Sequence, residues 1–122
     1  MIEQLKAFPD NVAAFMCHGH VTRKDYETVL IPALDKVLEG RGKVRLFYET
    51  AQDFAGFEPG ALWEDFKAGI EHLARWERIA VVTDIDWIKH TLQLFSFVVP
   101  ARVEIFPTAK GGDARKWILA ND

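Results

Sequence analysis

The chain has 122 residues, 49% hydrophobic and 27% charged, which is the size and balance of one folded domain able to build a core without metals or disulfides. A formal net charge of −3 with a pI near 5.8 excludes the basic footprint of a nucleic-acid binder. The lone cysteine, Cys17, excludes an intramolecular disulfide. No run approaches the ~18 apolar residues of a membrane span, and the start of the chain lacks a signal-peptide pattern, so the cytoplasm is the expected compartment.

Ile2 to Phe8 alternates apolar and polar residues and predicts a strand. Pro9-Asp10-Asn11 predicts a tight turn, because proline presets φ and the two side chains bond their own backbone. Val12 to Gly19 predicts a second, more buried strand, hairpin-paired with the first, in which Cys17 packs as a small hydrophobe. Thr22 followed by Asp25 predicts a helix start. Tyr26, Leu30, Ala33, Leu34, Val37 and Leu38 then recur at helical spacing until Gly40. Pro32 lies inside this helix and cannot donate to the Thr28 carbonyl, which predicts a bend.

Val44 to Tyr48 predicts a third strand, with Arg41, Lys43 and Arg45 as a solvated basic rim. A loop containing Asp53, Gly56, Pro59 and Gly60 leads to a second helix over about 61–73, with Leu62, Phe66, Ile70 and Leu73 on one face. Arg78 to Thr83 predicts a fourth strand, apolar enough at its centre to be covered on both faces. A third helix over 86–98 is closed by Pro100, a fifth strand spans 102–106, and Asp113 caps a short final helix with Trp117, Ile118 and Leu119. The order β-β-α-β-α-β-α-β-α, without linker or repeat, predicts a single α/β domain over 1–122 with a mostly parallel five-stranded sheet and an antiparallel opening strand.

Three segments carry a family likeness: Gly19-His20-Val21-Thr22-Arg23-Lys24-Asp25-Tyr26-Glu27 running into the first helix, Arg78-Ile79-Ala80-Val81-Val82-Thr83-Asp84 followed by Trp87, and Ala114-Arg115-Lys116-Trp117-Ile118. With the opening hairpin they resemble the SpoIIAA-like family, a branch of the STAS domains. The resemblance implies a βα superhelix related to CRAL-TRIO domains, with an N-terminal hairpin, four helices and non-enzymatic roles in protein or ligand binding. Anti-sigma-factor antagonists of this type switch through a serine in an Asp-Ser-Ser-Gly motif between the third strand and second helix. The matching loop here is Asp53-Phe54-Ala55-Gly56, which has no hydroxyl to phosphorylate. Ser96, the only serine, lies in the third helix, and Thr50 sits at a strand end.

His18-Gly19-His20 places two imidazoles on one side of an extended backbone, but a zinc site needs three or four ligands, and His72 and His90 fall on separate helices. Asp84 and Asp86 flank a strand-to-helix junction, where a carboxylate caps the third helix. Glu49 and Asp53 bracket a loop at the carboxyl end of a strand, the usual ligand side of an open α/β sheet. No phosphate-binding glycine motif or paired nucleophile and base is present. The expectation is a binding module with no cofactor or metal. If it were a small enzyme, Asp53, Asp84 and His20 would carry its chemistry.

The third helix has an apolar arc wider than one sheet contact needs. Ile88, Leu92 and Phe95 can face the sheet, which leaves Trp87, Thr91, Leu94 and Val98, with Phe97 beside them, in want of cover. Together with Trp63 and Phe66 of the second helix they form the candidate apolar groove. Core cover by the second helix, a homodimer contact, a lipid-like small molecule and a peripheral membrane contact are the occupants it admits. A regulatory protein–protein module of the anti-sigma-antagonist type is the alternative function.

Overall fold

A computed structural model describes residues 1–40, 42–58, 75–97 and 100–120, the side chain of Phe95 excepted. The opening strand β1 (Ile2–Gln4) pairs antiparallel with β2 (Val12–Cys17). It is shorter than the alternation predicts because Ala7 adopts a left-handed backbone at φ 70°. Ile2 packs in one core while Leu5 and Phe8 pack in the other, so this segment wraps around the edge of the sheet. The predicted turn forms, with Val12 N–H donating to the Pro9 carbonyl at 3.0 Å.

Strands β4 (Val44–Thr50), β6 (Trp76–Val82) and β7 (Arg102–Phe106) continue the main sheet in parallel, giving the order β1-β2-β4-β6-β7. Two short strands absent from the sequence reading, β3 (His20–Val21) and β5 (Gly56–Phe57), pair in parallel as a second sheet. The two-residue side-chain period divides the main sheet into two buried faces. One carries Ala13, Phe15, Cys17 and Val81, and the other carries Val12, Ala14, Phe47, Ala80 and Val82. Cover on both faces explains why β6 reads as a nearly continuous apolar run.

On the first face lies a helical run in three parts: α1 (Arg23–Asp25), a π-helical segment (Tyr26–Leu30) and α2 (Ile31–Leu38). Thr22 caps it through the predicted box, its hydroxyl accepting from Asp25 N–H while the Asp25 carboxylate accepts from Thr22 N–H. The bend expected at Pro32 appears as the widened π turn before it, where Ile31 N–H reaches back to the Tyr26 carbonyl. Pro32 has no N–H for Thr28, so the ladder loosens one turn ahead of the ring. The helix α3 (Asp86–Phe95) also packs on this face, through Ile88 and Leu92. The second helix expected over 61–73 lies outside the described residues.

The final helix α4 (Gly111–Leu119) covers the opposite face, behind a 3-10 turn (Thr108–Lys110). Its N-cap is Lys110, with no side-chain cap, so Asp113 sits in the first turn and does not cap as expected. At the other end, Arg78 donates to the Trp117 carbonyl at 2.7 Å, and Arg45 donates to the carbonyls of Ile118 and Ala120. Arg45 is therefore buried and not part of a solvated rim. Its tie is tertiary, spanning more than seventy residues, and so does not show in local composition. Arg75 repeats the device on α2, donating to the carbonyls of Leu38, Gly40 and Gly42.

Two measurements follow from this interior. Arg78 is 1% exposed and also lies 5.2 Å from the Trp117 ring. Arg78→Ala is expected to cost about 3 kcal/mol in urea unfolding, because a charge-assisted bond, a ring contact and side-chain volume go together. A loss under about 1 kcal/mol would show that the guanidinium is dispensable. Cys17 is fully buried and donates to the Tyr48 hydroxyl at 2.8 Å. Burial pushes its thiol up to about 11, against the Tyr48 hydrogen bond. Native protein near pH 8 should therefore resist Ellman's reagent and react only when urea opens the core, whereas prompt native labelling would contradict this packing.

Candidate functional site

The loops at the carboxyl ends of the strands are laced together by the small sheet. Gly19 and Gly56 take φ of 54° and 132°, conformations that favour glycine, and these turns bring Val21 beside Phe57. Ala55 N–H donates to the Gly19 carbonyl at 2.7 Å, and Glu58 N–H to the Val21 carbonyl at 2.7 Å. The Glu58 carboxylate accepts from Arg23 N–H at the start of α1. The result is a row of rings: Phe54 lies 5.0 Å from Phe57, and Phe57 lies 6.0 Å edge-on from Trp87 of α3.

The matched loop Asp53-Phe54-Ala55-Gly56 is thus a tied structure. Phe54 packs on the core, Gly56 is in β5, and the Asp53 carboxylate lies 3.4 Å from His18 Nδ1. His18 Nε2 lies 2.9 Å from the Glu3 carboxylate. The left-handed Gly19 breaks the extended backbone on which His18 and His20 would share a side, and His20 is exposed on β3. Among the described residues no three His, Cys, Asp or Glu side chains gather as a metal site. Thr50 is buried and donates to the Thr83 hydroxyl at 2.9 Å, which leaves it inaccessible as a phosphoacceptor.

Acidic residues grouped by sequence separate in space. Glu49 turns toward the start of α4, where burial raises its pKa against the lowering effect of Arg115. Asp53 meets His18 instead. Asp84 does not cap α3, whose N-cap is Ile85 with no side-chain cap. Its carboxylate accepts from Thr108 N–H at 2.9 Å, and this bond, with that from the Thr108 side chain, holds it below the usual carboxylate range. The β7-to-α4 turn competes for the carboxylate and wins it. Asp86 remains in the first turn of α3, where the helix dipole favours it.

Along α3 the predicted sheet row is in place for Ile88 and Leu92. The outer row is in water: on the helix Trp87 is 51% exposed and Leu94 73%, and just past its end Phe97 is 87% exposed. Thr91 is exposed between them, its hydroxyl donating back to the Trp87 carbonyl at 2.8 Å. The helix ends at Phe95, short of the expected 98. Trp63, Phe66 and Val98, the remaining members of the predicted groove, lie outside the described residues. Phe57 is the member that sequence reasoning missed. The signal was available in Gly19 and Gly56, each followed within two residues by an apolar side chain.

The family model described as SpoIIAA-like matches residues 12–119. No curated protein matches. Among solved structures, an uncharacterised protein with a SpoIIAA-like fold from Shewanella loihica PV-4 is similar, with a TM-score of 0.74 and 22% identity over 97% of this chain and 92% of that one. At that identity the likeness is one of fold. The parallel sheet, the antiparallel opening strand and the family match over nearly all of the chain agree, and the chain belongs to the SpoIIAA-like family.

Proposed function

We propose that the domain is a non-catalytic binding module that docks reversibly on an apolar surface, a lipid bilayer, through the outer row of α3. The observation that carries this reading is the exposure of Trp87, Leu94 and Phe97 on one short stretch. Single exposed apolar residues are ordinary, but three large ones together define a patch. Covering what remains exposed is worth about 3–6 kcal/mol in total. For a dissolved small molecule the lost translational and rotational freedom offsets most of this, leaving roughly millimolar affinity or weaker. An extended surface offers the same contact at high local concentration, so the energetics favour it over a small ligand.

Charge refines the reading. The chain carries a net −3, and Lys89 is the one Lys or Arg on α3. Each basic residue at an anionic surface contributes about 1 kcal/mol, so this helix gains little from lipid charge. Family membership also supports a protein–protein module, for which the same outer row would serve as the contact. The serine-free loop speaks against a switch at that loop in either case.

Flotation with neutral phosphatidylcholine vesicles is expected to carry a measurable fraction of the protein. Phe97→Asp should reduce that fraction about tenfold or more, and Trp87→Ala by a smaller factor, with folding unchanged because both side chains are largely in water. Wild type that stays with the soluble fraction at all lipid concentrations would overturn the proposal. If Phe97→Asp instead converts a dimer to a monomer in sedimentation, the row is a subunit contact.

A further inference from the structure

We propose that His18 is a proton-operated latch on the loop between β4 and β5. Its two ring nitrogens face carboxylates from two separate segments: Nε2 is 2.9 Å from Glu3 on β1, and Nδ1 is 3.4 Å from Asp53 in the loop. A neutral imidazole has one N–H and one lone pair, so it can donate to only one of them. The imidazolium carries an N–H toward each, bonding Glu3 and attracting Asp53 at ion-pair distance.

The other charged groups at this corner satisfy one another. The Met1 amino group donates to the carbonyls of His18 and His20 and lies 3.4 Å from the Asp25 carboxylate of α1. Burial works against ionisation of Asp25, but hydrogen bonds from the Thr22 backbone and hydroxyl outweigh it and hold this carboxyl below the usual range. Asp25 therefore keeps its charge where an imidazole titrates.

Asp53 is the partner that lets go. Its contact is longer than that of Glu3, and its side chain is 67% exposed against 52%. The backbone on either side stays fastened, with Ala51 N–H on the Cys17 carbonyl at 2.9 Å and Ala55 N–H on the Gly19 carbonyl at 2.7 Å. Phe54 N–H is fastened as well, on the Ala51 carbonyl at 3.1 Å, and its ring packs on the core, so release is confined to the Gln52–Asp53 tip beside it. The inference does not depend on the bilayer reading, and its readout is the loop itself. Exposed pairs are weak, so the populations shift by a small factor, about threefold.

The test is amide NMR of the intact chain from about pH 5 to 8. As pH rises, the Gln52 and Asp53 amides should move along one titration curve that coincides with the His18 ring signals. Asp53→Asn and His18→Gln should abolish that movement, His20→Gln should retain it, and added salt should shrink it. Loop amides that ignore pH would overturn the proposal, as would an Asp53→Asn variant that keeps the wild-type curve. The latter variant settles the matter even if His18→Gln fails to fold, because Asp53 is mostly in water.

Discussion

The architecture depends on three guanidinium groups that satisfy helix ends. A helix leaves its last carbonyls without intrahelical partners, and on a sheet covered by helices those carbonyls are driven toward the interior. Arg45 and Arg78 face each other across β4 and β6, an arrangement of like charges that is unfavourable by itself. The carbonyl end of α4 resolves it, because the negative end of the helix dipole and three acceptors sit between the two cations. A register shift between Val44 and Arg45 places Glu77 opposite as an extra residue, and its carboxylate reaches Arg45 at 3.0 Å. Removing either side would strand the other: buried cations without acceptors, or a helix end without donors. Arg45 Nε, buried without a partner, shows how tightly this corner is filled.

Much of the fold was legible in the sequence because its signals are local. The turn at Pro9, the Thr22–Asp25 capping box and the strand period of β2 and β6 each rest on residues within a few positions of one another. The departures are tertiary. Asp84 was free to cap α3 on sequence grounds, and only the return of the chain at Thr108 gives its carboxylate a better donor. The two histidines would share a side on a straight strand, but Gly19 turns the chain between them. Arg45 read as surface because nothing nearby in sequence announces the end of a helix more than seventy residues later.

The candidate surface was legible to the extent that it follows from periodicity. The α3 pattern separates an inner row from an outer row, and the burial of Ile88 against the exposure of Leu94 reproduces that separation. Which residues complete the surface was not legible, since Phe57 arrives through a parallel pairing between two loops. Two-residue strands leave no periodic signature. The Asp53–Gly56 loop and the apolar row thus turn out to be neighbours, joined ring to ring through Phe54, Phe57 and Trp87.

That adjacency bears on how a change of charge at this loop could reach the apolar row. A phosphoryl group acts by adding charge at a loop, and any other change of charge at the same loop acts through the same physics. Here the loop carries the Asp53 carboxylate, and the element opposite it is the His18 imidazole. The direction follows from the charges. Protonation adds an attraction and tightens the loop against β1 and β2, while proton loss leaves the Glu3 bond and removes the attraction for Asp53. The Ala51, Phe54 and Ala55 backbone bonds do not titrate, so the fold is indifferent to this exchange and only the Gln52–Asp53 tip responds. Such a device gives a graded response, because it rests on exposed pairs of modest strength and not on a buried, all-or-none contact.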